Sequence, residues 1–251
     1  MAITKFTLNF IILIIAFITG CDAQDFNIKS LDGTHQKIRV IADYPNNTLS
    51  IICLKDTIRV NEFMDLPGGI TILNDCFLKV VYECRAGSGE SLEQLLLLCI
   101  KNNKFCQSMN VNSLSRYDVN TVFNKRADSL KLFDEHGLYD LKLKIEGNSN
   151  KTYKSDIFIH DESISKRAPI TNHRYDKIFV LNFDSTQNIF YNAYENISEY
   201  FTIYNPKHQK TSRQYVLGRF PAIQFGKIKY YYIRGCWYGR GQKDYLYKYS
   251  Y

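Results

Sequence analysis

Residues 138–146 read Leu-Tyr-Asp-Leu-Lys-Leu-Lys-Ile-Glu, and their alternation decides the fold class. In an extended chain Tyr139, Leu141, Leu143 and Ile145 fall on one side, while Asp140, Lys142, Lys144 and Glu146 fall on the other. A period of two with one wet face marks a half-buried strand of an antiparallel sheet. Gly147-Asn148-Ser149-Asn150 then breaks the pattern. Upstream, Lys37–Ile41, Leu49–Leu54, Thr57–Phe63 and Phe77–Tyr82 are β-branched or aromatic stretches, with turns at Tyr44-Pro45-Asn46-Asn47 and Pro67-Gly68-Gly69. Downstream, Thr152–His160, Lys177–Phe183 and Gln214–Phe220 read the same way. A hairpin of Lys227–Arg234 with Asp244–Tyr251 is expected around a loop bearing Gly235, Gly239 and Gly241. It would place Tyr245, Tyr247, Tyr249 and Tyr251 on one face.

Three stretches point to helix instead. Ser91 followed by Gln94 matches a capping box, and Leu92, Leu95, Leu96, Cys99 and Ile100 make a helical stripe over 91–101. A looser pattern covers Ser115–Phe123. Asp184 with Gln187 caps a third candidate, whose apolar face is Ile189, Ala193, Ile197 and Phe201. The expected fold is mainly β and β-sandwich-like, with one or two short helices.

At the N-terminus, Lys5 precedes the apolar run Leu8–Ile18, and Thr19-Gly20-Cys21-Asp22-Ala23 follows. One cation, a short apolar core and a small residue describe a secretory signal peptide over 1–23, too short for a membrane span. The alternative is a bacterial surface lipoprotein lipidated at Cys21, since Ile18-Thr19-Gly20-Cys21 resembles a lipobox. The remainder divides at Gly147 into a cysteine-rich β domain, 24–147, and a β-rich second half, 152–251.

Export sets the reading of the cysteines. Cys53, Cys76, Cys84, Cys99, Cys106 and Cys236 are six in number, and an even count in an exported chain indicates disulfides of unresolved connectivity. No cysteine lies between 107 and 235, so full pairing would require Cys236 to reach back into the 53–106 group. The spacings are not those of zinc sites, and no metal or cofactor motif occurs. Asn46, Asn150 and Asn196 begin glycosylation sequons.

Charge is the second organising feature. The chain carries +7, yet residues 207–251 hold ten Lys/Arg against the single acid Asp244, together with nine tyrosines and the only tryptophan. Lys227, Lys229, Arg234, Trp237, Arg240, Lys243 and Lys248 are the candidate binding residues. Interleaved cations and aromatics suit an anionic partner, and export favours a glycosaminoglycan or an acidic protein over nucleic acid.

Catalytic frames are missing. Gly87-Ser88-Gly89 lacks the G-x-S-x-G pattern, and no phosphate loop occurs. His35, His136, His160, His173 and His208 show no helical metal spacing. A secreted nuclease or glycan-cleaving hydrolase would need one of these histidines to meet Lys/Arg in space.

Glu135-His136-Gly137-Leu138-Tyr139-Asp140-Leu141 resembles the D-x-G-x-Y-x-C signature of immunoglobulin-like domains. The resemblance covers about 36–146, implies a tyrosine corner at Tyr139 and sets Cys53 on the strand-B position. Glu135 stands for the Asp, Leu141 for the second core cysteine, and no tryptophan occupies a strand-C position. The functional expectation is a secreted extracellular binding protein that recognises a host or extracellular partner.

Overall fold

The structure, a computed structural model, describes residues 20–54, 56–87, 90–117, 138–147, 152–162, 177–205, 210–225, 228–240 and 246–247. Strands β1 (Cys21–Lys29), β2 (His35–Asp43), β3 (Thr48–Cys53) and β4 (Asp56–Asn61) form one sheet. The second contains β5 (Phe63–Asp65), β6 (Ile70–Leu73), β7 (Phe77–Gly87), β8 (Glu90–Lys101) and β9 (Lys104–Tyr117). The third contains β10 (Leu138–Gly147), β11 (Tyr153–Glu162), β12 (Lys177–Asp184) and β13 (Ile189–Tyr191). The last contains β14 (Ala193–Asn205), β15 (Lys210–Phe225), β16 (Ile228–Ile233), β17 (Cys236–Arg240) and β18 (Leu246–Tyr247). Paired strands follow one another in sequence, except that β5 and β6 both pair with β7. No helix occurs among the described residues.

The sheet of β7, β8 and β9 is the middle layer. Its side chains alternate between two cores. Leu78, Val80, Tyr82, Leu96, Leu98 and Ile100 pack with Ile38, Val40, Leu49 and Ile51 of the first sheet. Phe77, Val81, Leu95, Leu97, Cys99, Met109 and Val111 pack with Leu141, Ile157, Leu181, Phe190, Phe225 and Trp237. From Leu95 through Ile100 both faces of β8 are therefore dry, every one of those side chains being buried.

That burial corrects the first helix expectation. A strand buried on both sides shows an unbroken apolar run, which periodicity cannot separate from a buried helix. Gln94 caps nothing; its buried amide donates to Asn112 Oδ1 on β9 at 2.8 Å. The candidate helix over 115–123 is corrected in part, because Ser115–Tyr117 close β9; residues 118–123 lie outside the described set.

The third helix is also strand. Asp184 Oδ1 does accept the amides of Thr186 and Gln187, at 2.7 and 3.1 Å, but they belong to a turn that leads into β13. Ile189, Ala193, Ile197 and Phe201 are spaced by four. Four is an even number, so the spacing keeps one strand face as well as it keeps one helix face.

The expected C-terminal hairpin has a different partner. Lys229 to Ile233 pair with Cys236 to Arg240 across the tight turn Arg234-Gly235, both at positive φ. Gly235 thus belongs to the turn and Gly239 to β17, where it lies under the Tyr230 ring and a Cβ would sit 3.0 Å from it. Of residues 241–251, only Leu246–Tyr247 lie within the described set.

Residues 148–151, read as a domain boundary, connect β10 to β11, which pair from Leu138↔Glu162 to Gly147↔Tyr153. Cores on either side of that boundary are continuous, since Leu141 and Ile159 share one cluster with Leu97 and Trp237. The turn residues of the immunoglobulin resemblance, 135–137, lie outside the described residues. Tyr139 and Leu141 stand on β10.

Candidate functional site

β14 and β15 pair over thirteen residues, from Ala193↔Ala222 to Asn205↔Lys210, and then β15 continues alongside β16. Their inner face carries Ile197, Phe201, Ile203 and Val216. Phe201 lies well along β14, yet its ring meets those of Tyr231 and Tyr238 at 6.0 and 6.2 Å. The hairpin therefore curls back over β16 and β17. Gly218, at φ +147°, supplies β15 with a conformation that other residues rarely adopt.

The outer face is left to solvent. Tyr194, Asn196, Ser198, Tyr200, Arg213, Tyr215, Leu217 and Arg219 are all exposed there. Tyr200 and Tyr215 are cross-strand partners with rings 5.1 Å apart, and their hydroxyl edge is held by a Ser198–Tyr215 hydrogen bond. The Arg213 guanidinium lies 5.0 Å over the Tyr200 ring. The Arg219 guanidinium lies 5.6 Å over Tyr194, whose hydroxyl donates to Asp184 at 3.3 Å. Tyr200 is 51%, Tyr215 50% and Leu217 72% exposed. Glu195 and Glu199 have the inward parity of β14, so the outward positions of the two strands carry two guanidinium groups and no carboxylate.

Of the residues expected to make one basic surface, Lys229, Arg234 and Trp237 have described side chains. Lys229 Nζ donates to both Glu195 oxygens, at 2.7 and 2.8 Å, and the Tyr231 hydroxyl joins them at 3.1 Å. This pair neutralises Lys229 beside the core. Arg234 is exposed and bonded to Gln214 Oε1. Trp237 is 1% exposed, and its indole N–H donates to Gln107 O at 3.1 Å, which makes it a core residue and not a surface contact. Lys227, Lys243 and Lys248 lie outside the described residues, as does the Arg240 side chain.

Sequence reasoning found Arg213, Tyr215 and Arg219 only as part of the basic end. Tyr194 and Tyr200 were missed because 189–201 read as helix, and Leu217, on a stretch that did read as strand, because it carries neither charge nor aromatic ring. The even-position run Tyr194, Asn196, Ser198, Tyr200 was the available signal.

All seven cysteines are thiols in the structure. The six expected to pair are divided among three cores. Cys76, Cys99 and Cys106 belong to the core between the middle and third sheets, Cys53 and Cys84 to the core against the first sheet, and Cys236 to the cluster under the β14–β15 hairpin. Cys236 is thus not joined to the 53–106 group. Cys99 and Cys106 face each other across β8 and β9.

Of the sequon asparagines, Asn46 is exposed in the turn after β2, where its side chain donates to Asp43 at 2.8 Å. Asn196 is exposed on the outer face of β14, opposite Arg219. Asn150 lies outside the described residues. His35 is exposed on β2, His160 lies on β11 without a described side chain, and His136, His173 and His208 lie outside the described set. No group of three or more metal-ligating side chains occurs among the described residues. Among them, no helix is long and apolar enough to cross a membrane. No family model matches the chain, and no curated protein or solved structure is significantly similar to it.

Proposed function

We propose that this is an exported binding protein that recognises an anionic, sulfated glycan through the outer face of β14 and β15. The observation that carries the reading is the pairing of Arg213 with Tyr200 and of Arg219 with Tyr194 on two strands whose outward positions carry no carboxylate. A guanidinium held over a ring presents N–H donors to a sulfate, while exposed Tyr215 and Leu217 offer apolar area to a sugar ring. The excess of cations in residues 207–251 adds long-range attraction for a polyanion.

Export rests on the Leu8–Ile18 run and on the sequons. Cleavage after Ala23 would remove three exposed residues of β1 and leave its first buried side chain, Ile28, in place. Disulfide stapling belongs to the same reading, since an oxidising compartment would allow neighbouring thiols to join. Asn196 lies on the proposed face, so binding requires that asparagine to be unglycosylated.

Heparin chromatography tests the assignment. The variant R213S/R219S should elute at distinctly lower salt than the parent, and Y200A should weaken retention at equal charge. The combined variant R59S/K79S removes the same charge from β4 and β7. If it lowers the elution salt as much as R213S/R219S does, retention reads net charge and the site is wrong. Parent protein that ignores heparin but binds an acidic protein would replace the glycan as ligand.

A further inference from the structure

The hairpin β8–β9 turns at Asn102-Asn103, both left-handed with φ of 53° and 59°. This two-residue turn sets Lys101 opposite Lys104, Ile100 opposite Phe105 and Cys99 opposite Cys106. Directly opposed residues of an antiparallel pair hold their Cα atoms about 4.5–5.5 Å apart. That separation falls inside the roughly 4.4–6.8 Å that a disulfide spans.

The surroundings of the two sulfurs differ. Cys99 is buried and Cys106 half-buried. A bulge next to the pair inserts Ser108 into β9, and its hydroxyl lies 3.2 Å from Cys99 Sγ and 2.8 Å from the Asn188 carbonyl. The Asn188 side-chain amide donates to Cys106 Sγ at 3.7 Å. Lys101 Nζ donates to Asn188 Oδ1 at 3.2 Å and to Ser185 O at 3.1 Å, which anchors a cation beside Cys106. Cys76, on the same core, accepts a hydrogen bond from the Tyr153 hydroxyl at 3.4 Å.

We propose that Cys106 and Cys99 are a thiol–disulfide exchange pair, with Cys106 attacking an external disulfide and Cys99 resolving the adduct into a cross-strand disulfide. The Cys106 thiolate attacks one sulfur of R–S–S–R, forms the mixed disulfide and releases one RS⁻. Cys99 then gives its proton to the released thiolate and attacks Cys106 Sγ, expelling the second RS⁻. Two electrons pass from the protein thiols to the external disulfide, which departs as two thiols once the Cys106 proton, lost before attack, is returned through solvent.

Electrostatics agree with this order. A hydrogen bond from Cys99, together with the Lys101 charge and the Asn188 amide, outweighs burial and lowers the Cys106 thiol to about 7. Burial, with the hydrogen bond to Cys106, pushes the Cys99 thiol well up. The thiol that ionises near neutrality is the more accessible one, as an attacking thiol must be. This site is separate from the outer face of β14 and β15 and stands without it.

The test uses the reduced full chain and oxidised glutathione at pH 7.5. Tryptic mapping without reduction should recover residues 86–101 joined to 105–116 through Cys99 and Cys106. C99A should accumulate glutathione on Cys106, whereas C106A should leave Cys99 unmodified. A bond from Cys99 to Cys76 would overturn the proposal. So would glutathione on another cysteine with Cys106 left free. If C99A fails to fold, the map of the parent chain still decides.

Discussion

Cys106 and Cys84 are both partly buried thiols on strands, and their surroundings push them in opposite directions. Burial, reinforced by the carboxylates of Glu62 and Glu83, raises Cys84 to about 12. Cys106 lies instead among the Cys99 thiol, Lys101 and Asn188 and is lowered to about 7. The thiolate is the nucleophile, so its fraction and the alkylation rate both rise with pH through the thiol's own titration. Iodoacetamide labelling of Cys106, followed by mass spectrometry, should therefore climb through about pH 7 and level off above it. Cys84 should remain unlabelled across the same range. K101Q withdraws a cation that favours the thiolate, so the midpoint should move to higher pH. A Cys106 rate that is still climbing at pH 9 in the parent chain would contradict this account.

At the scale of the element, β16 shows how a strand can take a cation out of play. In β16 only Lys229 and Tyr231 reach Glu195, and the strand places them together on the face beneath the curled hairpin. Both ionic partners are about a quarter exposed, with 30% and 21% of their side chains accessible. Removing Lys229 leaves a partly buried carboxylate with one hydrogen bond in place of three. K229A should cost about 1–2 kcal/mol in urea denaturation. Lys37 pairs with Asp25 at 2.8 Å, but in the open, and Asp25 keeps Arg39 as a partner. K37A should accordingly leave the urea midpoint close to that of the parent. Equal losses in the two variants would mean that burial does not distinguish the pairs.

For the whole molecule, the decisive feature is the middle sheet with a core on each side. Leu96 points to the first sheet and Leu97 to the third, and neither has solvent contact. L96A or L97A should each cost about 2–5 kcal/mol, because the rigid layers close only partly over the lost methyl groups. Leu217, on the outer face of the curled hairpin, is mostly exposed. L217S should leave the urea midpoint within experimental scatter while weakening retention of the sulfated ligand. A large stability loss from L217S would show that this face is covered in solution.

What the sequence determined by itself was local. Leu138–Glu146 needed no partner to reveal a strand, since one face is wet and one dry; in β10, Leu141 and Ile145 are buried and Lys142, Lys144 and Glu146 exposed. The turn at Pro67-Gly68-Gly69 was equally legible, because Gly69 supplies a φ of +63° that other residues resist. Tertiary structure decided the rest wherever both faces of an element are covered or a spacing suits two periods. β8 loses its alternation because two sheets dry it, and Ile197 and Phe201 keep one face in helix and strand alike. Register across the Asn102-Asn103 turn, invisible as composition, is what sets Cys99 against Cys106. The basic end shows the same limit. Charge could be counted along the chain, but only packing decided that Lys229 is neutralised, Trp237 is core, and Arg213 and Arg219 face outward over tyrosine rings.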